Sequence, residues 1–343
     1  MARRQDEEGE DVSETSALRV CSDVEEAVYL LTKRDAVHFD RAALIWKCSV
    51  PAKALIRTRF GESFVTTLSL SGNRLQDSDM VLLANALVHN NCLLDLTLSY
   101  NAIAELGSTL LAAALAANSH LRTLDLRHNR IGKDGITPWL GPTMRANHSL
   151  RELKLSHNAI GNTKAVELLE SLSPKVLTEE EQLKALIANR RRDTTIQEDK
   201  ALLNDDEPFN STLTTLLLSD AGISDEAAPY IEHVLARTRS LTHLNLSCNA
   251  FTSAGGIAIA RGLKQNSTLR YLNYRENKVE ESAAVALLSA LVAHSFVGTA
   301  LFQDCFGGES AVGTALSQLT RTSRTLATLD LVSIPLSPSL RLP

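Results

Sequence analysis

Hydrophobic positions along residues 93–118, LLDLTLSYNAIAELGSTLLAAALAAN, change their period part-way. Leu93, Leu94, Leu96 and Leu98 predict a short half-buried strand. After Asn101 and Ile103, the residues Leu106, Leu110, Leu111 and Leu115 fall at helical spacing. One side of this unit is therefore a strand and the other a helix. Such a unit cannot bury both faces alone and needs copies stacked on either side. The chain supplies them. The frame LxxLxLxxN places its asparagine at Asn73, Asn101, Asn129 and Asn158, at intervals of 28, 28 and 29 residues. After an interruption the frame returns with Ala221 in the asparagine slot, and Asn249 and Asn277 follow, each 28 residues further on. Cys305 lies another 28 residues along and Ile334 a further 29, which makes nine units.

The remainder of each unit keeps the same step. Pairs such as Leu83/Leu87, Leu111/Leu115, Leu168/Leu172, Ile231/Leu235 and Leu287/Leu291 occupy i and i+4 positions of a core-facing helix stripe. A small residue six places after the slot (Gly107, Gly135, Ala227, Gly255, Ala283) marks a close approach between neighbours. A second asparagine recurs at Asn90, Asn118, Asn147, Asn210 and Asn266, where its tolerance of left-handed backbone suits the end of a helix.

The frame LxxLxLxxNxIxxxGxxxLxxAL resembles the ribonuclease-inhibitor-like class of leucine-rich repeats over about 65–336, outside one insertion. The resemblance implies an α/β fold: a curved leucine-rich-repeat solenoid, a horseshoe of about nine repeats of 28–29 residues. Parallel strands would line its concave face and helices its convex face. The curvature has a physical cause, since strands sit about 4.8 Å apart and packed helices about 8–10 Å. The slot asparagine is expected at the strand-to-helix turn, bonded to backbone groups that would otherwise be buried unpaired.

Three regions depart from the repeat. Residues 1–15 are polar and acidic and are expected to be a disordered tail. Residues 16–62 are read as a helical cap ahead of the repeat domain at 63–343, with a capping-box spacing at Ser22/Glu25 and an apolar cluster over Ala42–Trp46. From Asn158 to Ala221 is 63 residues, 35 more than one period of 28, which places an insertion at about 174–208. Within it Thr178 and Glu179–Glu181 open a helix whose apolar face carries Leu183, Leu186 and Ile187 and whose end carries Arg190 and Arg191. It reads either as a solvated loop or as a projecting helix that grips a partner. The last unit closes on Ile334-Pro335-Leu336, where proline blunts an open sheet edge.

Composition narrows the function classes. Aromatics are only 4% against 44% hydrophobic residues, so the core is expected to be aliphatic. A net charge of −5 gives no basic footprint for nucleic acid. Five scattered cysteines without a CxxC pair fit a reduced, intracellular protein. The N-terminus has no apolar signal region, and no run approaches about 18 apolar residues, so neither secretion nor a membrane span is expected. No phosphate-binding loop, dinucleotide fingerprint, zinc-protease helix or nucleophile elbow occurs in a supporting context. No catalytic residue, cofactor or metal ligand is expected. His128 and His157 share one slot in adjacent units, but no third ligand lines up with them.

The candidate site is the concave face, formed by the side chains that flank the buried leucines. Asp125 and Arg127, Glu152 and Lys154, His243 and Asn245, and Tyr271, Asn273 and Arg275 occupy such positions. Leu217 and Leu301 place apolar residues at outward slots. A mixed-charge face with tyrosine and arginine suits protein binding better than a small-molecule pocket. Members of the resembled class include Ran GTPase-activating proteins, which supply an arginine from an early turn. The matching turn here, Tyr100–Ser108, holds none. The reading is a non-enzymatic protein-interaction or scaffold module. It is expected in the cytoplasm, as a subunit of a hetero-assembly of cytoskeletal, ciliary or axonemal kind, similar to the leucine-rich-repeat subunit of the nexin–dynein regulatory complex. Ran-type GTPase activation and innate-immune-like ligand recognition stay open as alternatives.

Overall fold

The computed structural model describes residues 18–21, 43–46, 66–132, 140–174, 209–293, 296–303, 305, 310–323 and 325–331. Eleven strands form one parallel sheet in chain order. They are β1 (Leu18–Cys21), β2 (Ala43–Trp46), β3 (Thr67–Ser69), β4 (Asp95–Thr97), β5 (Thr123–Asp125), β6 (Glu152–Lys154), β7 (Thr215–Leu217), β8 (His243–Asn245), β9 (Tyr271–Asn273), β10 (Thr299–Leu301) and β11 (Thr328–Asp330). The helices are α1 (Asp77–His89), α2 (Glu105–Ala117), α3 (Leu140–Ala146), α4 (Gly161–Ser171), α5 (Ala228–Arg237, after a 3-10 turn at Asp225–Ala227), α6 (Ser253–Gln265), α7 (Glu281–Ala293) and α8 (Ser310–Thr322). The result is the curved solenoid expected from the repeat period, with strands lining one side and helices the other.

Register never slips along the repeats. Leu68 pairs with Leu96, Leu96 with Leu124, Leu124 with Leu153, Leu153 with Leu216, Leu216 with Leu244 and Leu244 with Leu272. A one-residue slip would turn every leucine outward, so burial of one face fixes the pairing. The nine sequence units supply β3 to β11. Two further strands come from the segment expected as a helical cap. Ala43–Trp46 is a strand paired with β3, and Leu18–Cys21 pairs with it in turn. A short apolar run reads equally as buried strand or buried helix by period alone, and the open edge of β3 offers it a ladder. The remainder of 16–62, the tail at 1–15 and the terminal Ile334–Leu336 lie outside the described residues.

The slot asparagine does more than close its own turn. The Asn129 amide donates to the Leu126 carbonyl of its own unit (2.9 Å) and to the Leu98 carbonyl of the preceding one (3.0 Å), while its Oδ1 accepts from the Ile103 N–H (3.1 Å). Asn101, Asn158, Asn249 and Asn277 repeat the pattern, so each asparagine stitches two units together. Cys305 keeps half of it, its Sγ–H donating to the Tyr274 carbonyl at 2.7 Å.

The second asparagine series works differently from the expectation. Asn90, Asn118 and Asn266 have extended backbone, with φ of −86°, −89° and −77°. Their role lies in the side chain. Asn118 Nδ2 donates to the Leu87 and Asn90 carbonyls of the preceding unit, and its Oδ1 accepts from the His120 and Leu121 N–H groups. The helix-end carbonyls are thereby satisfied by the next unit along.

Small residues fall where helices approach the preceding unit. A Cβ on Gly107 would stand 2.5 Å from Asp77 Oδ1, the carboxylate oxygen that accepts the Ala104 N–H at 2.7 Å. Gly255 faces Asp225 in the same way. The core is leucine-rich as expected, except that Phe251, Tyr274 and Phe302 form an aromatic cluster in the sixth to eighth units, with centroids 5.7 and 6.3 Å apart. Tyr274 fills a leucine position completely, and its hydroxyl has no hydrogen-bond partner among the described residues. Burial pushes its pKa far above the usual tyrosine value.

The interruption leaves the ladder unbroken. β6 pairs directly with β7, and the Asn210 N–H donates to the Ser171 carbonyl at 2.7 Å. The chain therefore departs and returns at adjacent points. Leu183, Leu186, Ile187, Arg190 and Arg191 lie outside the described residues.

Candidate functional site: the concave face and its corner row

The outward positions of the strands are largely self-satisfied. Arg127 holds Asp125 through a two-pronged contact, Nη2 to Oδ2 at 2.6 Å and Nε to Oδ1 at 3.0 Å. Asp125 is thereby buried to 3% exposure, and its hydrogen bond holds the guanidinium further above its usual value. Lys154 pairs with Glu152 at 3.0 Å. Arg275 reaches across β10 to an ion pair with Asp330. His243 stacks beside Tyr271 at 5.8 Å, an exposed ring against a half-buried one. Asn245 Oδ1 accepts from the Ser247 hydroxyl at 2.7 Å, and Asn273 Oδ1 from the Arg275 N–H at 3.2 Å. Hydroxyl pairs Ser71–Ser99 and Ser219–Ser247, each 2.8 Å, cross-link adjacent strands. Of the two apolar residues expected outward, Leu217 is half-buried, and Leu301 is buried at 8% exposure. Leu301 thus presents little exposed apolar surface.

A second row runs along the corner where the strands end. The residue before each asparagine slot has left-handed backbone: Tyr100 (φ 57°), His128 (54°), His157 (58°), Asp220 (48°), Cys248 (56°) and Glu276 (55°), with Gly72 at the first unit. Glycine takes this conformation freely, whereas other L-residues incur about 1–2 kcal/mol. Three rings in this row form a continuous stack. Tyr100 and His128 centroids lie 4.1 Å apart with planes 12° from parallel, and His128 and His157 lie 4.0 Å apart at 10°. His157 Nδ1 then meets Asp220 Oδ2 at 3.1 Å. Tyr100 ends the stack with 61% of its surface exposed. The stack depresses the His128 pKa from its ordinary value. Burial of the ring is the largest cause, followed by the adjacent His157 and Arg127, with Asp125 and Asp220 opposing.

Sequence spacing placed His128 beside His157 but missed Tyr100 and Asp220 as members of the same row. The signal was available one residue before each slot, where a fixed column holds Tyr, His, His and Asp in successive units. The parallel rings set their in-plane lone pairs side by side instead of converging them. Among the described residues no group of three or more histidine, cysteine or acidic side chains could hold a metal ion. Among the described helices, none is long and apolar enough to cross a membrane.

Parallel strands in unbroken register, an asparagine in six of the nine turn slots and a helix on the opposite side define a leucine-rich-repeat solenoid. Five stretches, 63–84, 117–138, 146–163, 209–228 and 238–260, match the family described as Leucine Rich repeat. No curated protein matches the chain. Among solved structures, a plant ice-binding protein is similar at 16% identity with a TM-score of 0.39, covering 80% of this chain and 76% of that one. That likeness is too low to bear on function. The five matched stretches carry leucine-rich repeats.

Proposed function

We propose that this protein is a non-enzymatic interaction module that binds another protein across its concave face and corner row. The observation that carries the reading is the Tyr100–His128–His157 stack. Bulky rings stand in a left-handed column that glycine would fill without strain, and the stack leaves a broad aromatic surface open to solvent. Backbone strain retained in this way points to a role for the side chain. Amphipathic rings are also the side chains that dominate binding hot spots. The His243–Tyr271 pair offers a second anchor on the same sheet. The internally paired charges Asp125/Arg127, Glu152/Lys154 and Arg275/Asp330 would contribute register more than affinity, because their strongest contacts are already made.

The finer reading is a subunit of an intracellular hetero-assembly of cytoskeletal or ciliary kind, supported by the resemblance of the repeat frame to that class. The insertion residues Leu183, Leu186, Ile187, Arg190 and Arg191 form a second candidate contact. Co-purification of the tagged chain tests both levels. Partners should be recovered with it, and the Tyr100→Ala/His128→Ala double variant should lose them at least tenfold while staying folded by circular dichroism. Recovery of the tagged chain alone, as a free monomer, would sink the reading.

A further inference from the structure

A cleft of about 410 Å³ opens along the sheet edge where the strands begin, bounded by the last residues of α2 and α3. Its polar lining includes Arg122, Arg151, His120, His148, Asn118 and Asn147, and among the described residues no carboxylate lines it. Arg122 stands just before β5 and Arg151 just before β6. The Arg122 N–H donates to the Leu94 carbonyl and the Arg151 N–H to the Arg122 carbonyl, each at 2.7 Å, which fixes the two backbones side by side. Both side chains are exposed, and among the described residues neither makes an ion pair.

That sets them apart from the cations of the concave face, since Arg127, Lys154 and Arg275 are each paired. In a chain of net charge −5, the cleft is a local concentration of uncompensated positive charge. The carboxyl ends of α2 and α3 would ordinarily oppose it with their partial negative charge. Side-chain amides meet part of that charge. Asn147 Nδ2 donates to the Leu115 and Asn118 carbonyls, and Asn210 Nδ2 to those of Met144 and Asn147. Two full guanidinium charges outweigh the partial charge that is left, so the side chains set the sign of the cleft.

We propose that this cleft docks an acidic peptide segment of a protein partner, its carboxylates gripped by Arg122 and Arg151. Two planar guanidinium groups on neighbouring strands match carboxylate geometry and need no rearrangement of the backbone. The lining runs over two successive turns, 116–122 and 146–151, which gives room for a run of side chains instead of a single ion. The inference rests on the interaction-module reading and adds a partner chemistry, on an edge separate from the corner row.

The test is fluorescence anisotropy of a labelled hexaglutamate peptide with the full chain, against hexaglutamine and inorganic phosphate. Hexaglutamate should bind in a salt-dependent way and hexaglutamine should not. Arg122→Glu/Arg151→Glu should weaken hexaglutamate binding at least tenfold, Arg122→Gln/Arg151→Gln by an intermediate factor, and the remote Lys264→Glu not at all. Near-UV circular dichroism checks folding, and the glutamine pair decides the matter if the reversed pair does not fold. Equal binding by the arginine variants, or equal binding of hexaglutamine, would overturn the proposal. Displacement of the peptide by phosphate at matched concentration would reassign the cleft to free anions and overturn the peptide. Tyr100→Ala/His128→Ala should leave hexaglutamate binding intact. If the chain recovers no partner while hexaglutamate still binds, the module reading fails and the cleft does not.

Discussion

Asn129 shows how much of this fold hangs on one side chain. Replacing it with alanine leaves the Ile103 N–H without its acceptor and takes one of two asparagine donors from each of the Leu98 and Leu126 carbonyls, which keep Asn101 and Asn158. A cost of about 1–3 kcal/mol follows, read as a lower denaturation midpoint at unchanged slope. Tyr274 gives the opposite case. Its buried hydroxyl has no partner, so Tyr274→Phe removes an unsatisfied group without changing the ring, and the melting temperature should rise. His128 is the residue-scale reporter of the corner stack. Its folded pKa is depressed, so its neutral form is the one the fold favours. The stability it contributes is fully present above the unfolded value of about 6.5 and is lost as pH falls through the lower folded value. An NMR titration should place the His128 midpoint below that of free histidine. His157→Gln should raise the midpoint only part of the way, because burial, the larger cause, remains.

At the scale of elements, the repeat frame located every strand from β3 to β11, since alternating leucines admit one buried face. The same arithmetic misread Ala43–Trp46, where four apolar residues without a period could join helix or strand. It also assigned the second asparagine series a backbone role that the side chain performs instead. A residue type states what it permits, and only the neighbouring unit shows which permitted use is made. The insertion offers a test at this scale. Because Asn210 bonds to Ser171 and β6 pairs with β7, replacing 175–208 by a short glycine-rich link should leave circular dichroism and melting unchanged or slightly improved. If partner recovery then falls, the excised segment is a contact and not a solvated loop.

In the whole molecule each unit packs chiefly on its neighbours, with the Arg275–Asp330 and Lys164–Glu105 ion pairs reaching one unit further, so stability is close to a sum of local and nearest-neighbour terms. Leu272→Ala, at a fully buried position in β9, should cost about 2–5 kcal/mol. Hydrogen exchange should then show the loss of protection centred on β8–β10 and fading before α1 and α2. Uniform loss across the chain would contradict the one-dimensional picture. The same architecture limits what a site can be. With no deep interior between layers, the concave face, the corner row and the edges remain for recognition.

Leucine spacing alone settles the period, the register and the curvature, because burial of regularly spaced leucines leaves a repeat no other arrangement. It also names the concave positions. Which of those positions are still available depends on the packing of one unit against the next. Asp125 is consumed by Arg127, Arg275 by Asp330, and Leu301 is covered, while Tyr100, Arg122 and Arg151 stay open. The reason is physical. Burial of a leucine face is a property of one unit repeated, whereas satisfaction of a charge or stacking of a ring depends on which side chain the adjoining unit brings within reach.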